Sequence, residues 1–268
     1  MSKEIASKIP AYEDLFFSKT ADFLDMYLVK QAGRSPHTKK QYRTGLSEFF
    51  NYIADVKHCS PASFCFHELS YDMLLEYSQY LQNEKKLEPS TVNARLTALR
   101  EYMKYVSNGN VALVQYYIYA CRVPSLTVPK TRRPLVQRED LAVLLDSPKE
   151  TRIGNRDRFI MVLLYDSAIR VDELVKITLG DVTLEKDKVS ILIHGKGRKQ
   201  RCVTLSSNAS AHASAYLKSY HEGPWYPDRP LIYTVIHGQM NAMSTRNVER
   251  ILTKYGRITK ESNPSTPD

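Results

Sequence analysis

The sequence predicts a mainly helical chain: an N-terminal helical bundle, then an α+β unit with a small antiparallel sheet. Three observations carry this. Apolar residues recur at helical spacing from Phe23 to Val106. A basic stretch over 123–138, punctuated by Pro124, Pro129 and Pro134, interrupts that pattern. Beyond it, Val189, Ile191 and Ile193, then Val203 and Leu205, alternate on either side of a Gly-rich turn, as in a hairpin with one buried face.

Phe23, Met26, Tyr27 and Lys30 mark the first helix. Ser35-Pro36 opens the next: serine caps, and proline fits the first helical position, where its missing N–H has no partner to lose. Tyr42, Leu46, Phe49, Phe50 and Ile53 follow on one face. Leu74, Tyr77 and Leu81 mark a third helix. Pro89-Ser90 opens a fourth, with Val92, Leu96, Leu99, Met103 and Val106 on one side. Four such helices make a small bundle. Tyr116, Tyr117 and Tyr119 cluster behind it, and docking of a further helix explains them better than stacking on bases.

The proline density at 123–138 disfavours helix interior and central strand, so the expected division is 1–122, a linker at 123–138, and 139–268. In the last segment, Phe159, Val162 and Leu163 place a buried helix over Asn155–Tyr165. Helices are expected at 207–220 and 244–255, the latter capped by Ser244 with Val248, Ile251, Leu252 and Tyr255 inward. The polar end from Lys260 to Asp268 reads as a disordered tail.

Composition narrows the partners. The 268 residues carry a net charge of +9, which favours a polyanion. Residues 1–125 hold 15 Lys+Arg against 13 Asp+Glu, and residues 126–268 hold 23 against 16, so the excess lies in the second half. No stretch approaches the ~20 apolar residues of a membrane span, and Met1–Pro10 lacks the apolar run of a secretory signal. Cys59, Cys65, Cys121 and Cys202 have no metal-ligand spacing and read as buried, reduced thiols.

Two segments carry candidate chemistry. Arg170 lies between the apolar end of one helix and the start of another, in Ala168-Ile169-Arg170-Val171-Asp172-Glu173-Leu174. Its guanidinium offers forked donors that match phosphate oxygens and stays charged. Alone, it reads first as an ion-pair partner of Glu173 or Asp172, and Glu173 also suits orienting Arg170 for a ligand. Lys196 lies at the turn of His194-Gly195-Lys196-Gly197-Arg198-Lys199-Gln200-Arg201. Its flanking glycines permit a tight turn and close approach. A lysine there can touch a phosphate or deliver a proton. Alone, this is a solvated basic turn.

Together and in this order, the two segments resemble the arginine box and lysine hairpin of the tyrosine recombinases (phage integrases). Asp181-Val182 fits between them. Ser244-Thr245-Arg246-Asn247-Val248 is similar to the helix before that family's second arginine box. Ser35-Pro36-His37-Thr38 with Tyr42, and Pro89-Ser90-Thr91-Val92-Asn93 with Arg95, resemble two helix starts of its SAM-like core-binding domain. The resemblance spans about Ala21 to Tyr255 and implies a core-binding domain followed by a catalytic domain, gripping double-stranded DNA.

It also implies a reaction. A tyrosine attacks the scissile phosphate and forms a 3′-phosphotyrosine bond, conserving the phosphodiester energy without metal, ATP or other cofactor. Arginines brace the developing charge. Carried over, Arg170 is the first arginine, Glu173 its support, and Lys196 the acid for the leaving 5′-oxygen; the Gly-Lys-Gly frame selects Lys196 over Lys199. Implied DNA contacts are Thr38, Lys39, Arg43, Thr91, Asn93, Arg95, Arg132, Arg133, Arg198, Lys199, Arg201 and Arg246. Ordinary helix capping explains Thr38 and Thr91 equally well. Further recombinase protomers are implied partners, with no membrane and no small-molecule substrate, in a cytoplasmic, nucleoid-associated protein of a mobile element.

One departure stands out. None of the seven histidines begins a His-x-x-Arg, and no tyrosine follows Tyr255. The catalytic domain is thus expected to be incomplete at its C-terminus and the chain inactive as written. The alternatives are a non-catalytic DNA-binding regulator that competes for recombination sites, and a basic helical adaptor between proteins.

Overall fold

A computed structural model describes residues 11–130, 135–186, 188–195, 197 and 199–264. The chain divides into two compact units, Met1–Thr131 and Arg132–Asp268.

Unit 1 is helical. A π-type segment, Asp22–Gln31, precedes α1 (Pro36–Asn51), α2 (Tyr71–Asn83), α3 (Pro89–Gly109) and α4 (Val114–Arg122). Ser35 caps α1 by accepting from Thr38 N at 3.2 Å, and Ser70 caps α2 by accepting from Met73 N at 3.1 Å. The predicted stripes on α2 and α3 are buried throughout. On the first two helices the stripe is wider than the core: Met26 and Phe50 are each 43% exposed. The centre is aromatic, with Phe16 ringed by Phe49, Phe64, Phe66 and Tyr102 at centroid distances of 5.2–5.7 Å. Gly45 lets α1 approach α3 closely, since a Cβ there would lie 2.5 Å from Ala98 Cβ. The tyrosine cluster docks α4 onto the bundle, with Tyr116 buried beside Phe66.

The extended stretch after α4 starts pinned to unit 1. Val123 is buried, and Arg100 donates to its carbonyl at 2.7 Å. Asn93 accepts from Leu126 N at 2.8 Å and donates to Leu126 O at 2.9 Å.

Unit 2 contains α5 (Arg138–Asp146), α6 (Arg152–Ser167), the single turn α7 (Val171–Leu174), β1 (Val182–Glu185), β2 (Lys188–His194), β3 (Gln200–Thr204), α8 (Ser207–Tyr220), β4 (Tyr233–Ile236), β5 (Gln239–Ala242) and α9 (Thr245–Ser262). The antiparallel sheet runs β1-β2-β3, with Ile191 opposite both Val182 and Val203. Val189, Ile191 and Ile193 point into a core with Phe159, Leu163 and Tyr216, as their alternation predicts. The β4–β5 hairpin is separate.

Several expectations are corrected. In place of a disordered tail from Lys260, the helix runs through Ser262, because Tyr255 and Thr259 are buried along α9 and Asn263 donates to the buried Asp140 at 2.7 Å; residues 265–268 of that expected tail lie outside the described residues. Strands β1, β4 and β5 and helix α5 have no counterpart in the sequence reading. All four cysteines are free, but Cys121 and Cys202 are exposed. Among the described residues, no helix is long and apolar enough to cross a membrane.

Candidate functional site

The chain turns sharply where α6 ends. Ala168 takes a left-handed conformation (φ +49°), Ile169 is buried, and Arg170 lies extended at the start of α7. A left-handed alanine is strained by roughly 1–2 kcal/mol; packing of Ile169 and the bonds of the next turn hold it. Glu173, one turn on, accepts from Arg170 N at 3.1 Å through Oε2 and from Arg170 Nη1 at 3.1 Å through Oε1. Arg201, arriving on β3, donates to the same carboxylate: Nη2 to Oε2 at 2.8 Å and Nη1 to Oε1 at 3.3 Å.

Glu173 is therefore a buried anion, 6% exposed, between two guanidiniums. The Arg201 hydrogen bonds, then the Arg170 backbone and side chain, outweigh burial and lower its pKa to about 2. Arg170 is 77% exposed, with that one side-chain bond among the described residues. Arg170 is thus paired with Glu173, as one expected reading has it, while the rest of its guanidinium faces solvent.

Lys196 and Arg198 lie outside the described residues, but the turn around them is placed. Gly195 N donates to Lys199 O at 2.7 Å, and Gly197 has φ +77°, a conformation glycine takes freely. A Cβ on Gly195 would lie 3.5 Å from Glu173 Oε1 and 3.7 Å from Arg201 Nη1. The arginine box and the base of the lysine turn thus meet at Glu173. Sequence reasoning missed a second tie: His194 Nε2 lies 2.8 Å from Asp181 Oδ1, and its Nδ1 lies 3.1 Å from Gln200 Nε2. Burial raises the Asp181 pKa, but the Thr178 amide, His194 and the Thr178 hydroxyl outweigh it, and the net shift is downward.

The remaining expected residues fall into separate places. In unit 1, Thr91 and Arg95 on α3 line an open groove with His37, Lys40, Gln41 and Thr44 on α1. Arg95 Nε is buried there without a hydrogen-bond partner among the described residues. Thr38 is part of the Ser35 cap, and Lys39 and Arg43 both approach Asp25, whose pKa the Lys39 bond lowers. Asn93 is half-buried, and its amide bonds Leu126 in both directions, a tie within unit 1. Arg201 donates through both terminal nitrogens to Glu173 while its side chain stays 42% exposed. Arg132 and Arg133 lie outside the described residues. In unit 2, Lys199 is exposed at the turn, and Arg246 starts an open stripe on α9 with Glu249, Arg250, Thr253, Lys254 and Arg257. Arg250, Lys254 and Arg257 were not singled out in the sequence, although four-residue spacing from Arg246 to Arg250 to Lys254 was there to find.

A model of the phage integrase family matches residues 135–267, and a model of the phage integrase SAM-like domain matches residues 19–117. The chain is 30% identical over 240 residues to a tyrosine recombinase XerC of Psychromonas ingrahamii, covering 87% of this chain and 74% of that protein. It is 27% identical over 256 residues to a XerC of Syntrophus aciditrophicus, covering 90% and 79%. Among solved structures, a XerH site-specific recombinase bound to palindromic difH substrate, post-cleavage, matches with TM-score 0.62 at 20% identity, covering 92% of this chain and 68% of that one. The Tn1549 transposon integrase with circular intermediate DNA matches with TM-score 0.61 at 12% identity, covering 96% and 81%.

Proposed function

The chain belongs to the phage integrase family of tyrosine recombinases, and from that premise we propose that it binds duplex DNA at recombination sites and supplies part of a strand-exchange site. The observation that supports this best is the meeting at Glu173 of the arginine box, Arg201 and the base of the lysine turn. Arg170, exposed and fixed at its backbone, contacts a non-bridging oxygen of the scissile phosphate and stabilises charge developing there. Lys196 protonates the 5′-oxygen as its bond to phosphorus breaks. In this reading a tyrosine forms the new bond to phosphorus; within these 268 residues no histidine begins a His-x-x-Arg and no tyrosine follows Tyr255.

Units 1 and 2 contribute different contacts in this reading. Lys39, Arg43, Thr91 and Arg95 serve unit 1, where helix starts and basic groups suit phosphates. Arg132, Arg133, Arg198, Lys199 and the α9 stripe from Arg246 serve unit 2. By themselves the 268 residues occupy DNA without cutting it.

The test is to incubate the chain with nicked recombination-site DNA. A salt-sensitive shifted complex with no covalent protein–DNA band is expected. A tyrosine-linked adduct contradicts the non-cutting assignment, and salt-insensitive binding contradicts the DNA assignment altogether.

A further inference from the structure

Glu173 is saturated. An ionised carboxylate offers about four acceptor positions. Two are taken by Arg201, at 2.8 and 3.3 Å, one by Arg170 N at 3.1 Å and one by Arg170 Nη1 at 3.1 Å. The carboxylate is buried at 6% exposure, so water does not compete freely for these positions. Arginine and carboxylate ordinarily prefer a two-point fork. Arg170, three residues away, is denied the second point because Arg201 already occupies it.

We propose that Arg201 is a positioning residue: by filling Glu173 it restricts Arg170 to a single bond and leaves the rest of that guanidinium presented for a phosphate. The inference rests on the reading of Arg170 as a phosphate contact. Arg201 leaves the set of direct DNA contacts and acts through Glu173. Without it, two acceptor positions open beside Arg170, whose fork closes on Glu173 and withdraws from the open face. Because Arg201 follows the lysine turn on β3, the same bonds tie the position of that turn to the state of Arg170. Lysine does not replace it, since an ammonium lacks the rigid fork that spans both oxygens.

The experiment uses the whole chain with Arg201→Gln, Arg170→Ala and both together. In the free protein, the Arg170 guanidinium nitrogens are followed by NMR, assigned by their loss in Arg170→Ala. Rotation averages them in the native chain; in Arg201→Gln the two-point pair slows rotation and separate signals appear. On a short duplex at low salt, Arg170→Ala weakens binding about tenfold in the native background, as for a hydrogen bond to a charged group. In the Arg201→Gln background it weakens binding by less than about twofold. Unchanged Arg170 signals, or losses that multiply in the double variant, overturn the proposal, the latter making Arg201 an independent DNA contact. If the native chain retains no duplex, the functional reading fails, while the guanidinium signals still decide the positioning role. Should Arg201→Gln not fold, Arg201→Lys takes its place; it also vacates one oxygen, and the same two readouts apply.

Discussion

Replacing Glu173 by glutamine removes one charge at nearly constant volume from the point where three segments meet. The native carboxyl has its pKa lowered from the ordinary 4.5 to about 2. At about 1.4 kcal/mol per unit, that difference is roughly 3 kcal/mol of folding stability. Its partners are partly in water, Arg170 at 77% and Arg201 at 42% exposure, and solvent screening reduces the expected loss to about 2 kcal/mol. The single tryptophan, Trp225, lies in unit 2, so its fluorescence during urea or thermal unfolding reports on that unit alone. A loss of about 2 kcal/mol lowers the midpoint by about 6–10 °C. The pH dependence has a fixed sign. The native carboxyl is depressed, so its contribution is complete above the unfolded value near 4.5 and is lost as pH falls through about 2. The difference between native and Glu173→Gln chains should therefore be constant at neutral pH and shrink below 4.5. A loss under about 0.5 kcal/mol at pH 7, or one unchanged at pH 3, refutes the ionised, doubly bonded Glu173.

Gly45→Ala should destabilise unit 1 by about 1–3 kcal/mol in circular-dichroism melting, because the 2.5 Å approach to Ala98 Cβ outweighs the ordinary helical preference for alanine. Asn93→Ala leaves both backbone groups of Leu126 unbonded at a cost of about 1–2 kcal/mol, and hydrogen exchange at the Leu126 amide should accelerate while DNA affinity changes little. Burial lowers the pKa of His221, whose Nε2 lies 2.9 Å from Leu231 O. The unfolded chain binds its proton first, so unit 2 should lose stability as pH falls below about 6.5, a slope that His221→Gln should flatten in Trp225-monitored titrations.

What could be read from the sequence follows the range of the forces involved. Ser35, Pro36, Pro89 and Ser244 act within a few residues, and the helices they open stand where expected. The Val189–Ile193 alternation fixed β2 because one face of that strand is buried. The continuation of α9 was invisible because its anchors, Asp157 for Tyr255 and Asp140 for Asn263, are about a hundred residues away. Asn93 shows the same limit: a polar residue in the first turn of a helix suits a phosphate, and only the return of Leu126 shows where its amide goes. At the candidate site, the order of motifs was legible, and the pairing of Glu173 with Arg170 followed from three-residue spacing. That Arg201 competes for the same carboxylate depends on the register of β2 with β3, which brings Arg201 opposite Ile193 and back toward α7.

In the proposed function, the Arg170 guanidinium and the Lys196 ammonium serve one DNA phosphate region. The most direct measurement is duplex affinity across a salt series for the native chain, Arg170→Ala, Lys196→Ala and the double variant. Each single substitution should flatten the dependence of log affinity on log salt by about 0.9, the amount for one lost phosphate contact, and the double by about twice that. Native slopes retained in both single variants would place these side chains away from the DNA and contradict the account.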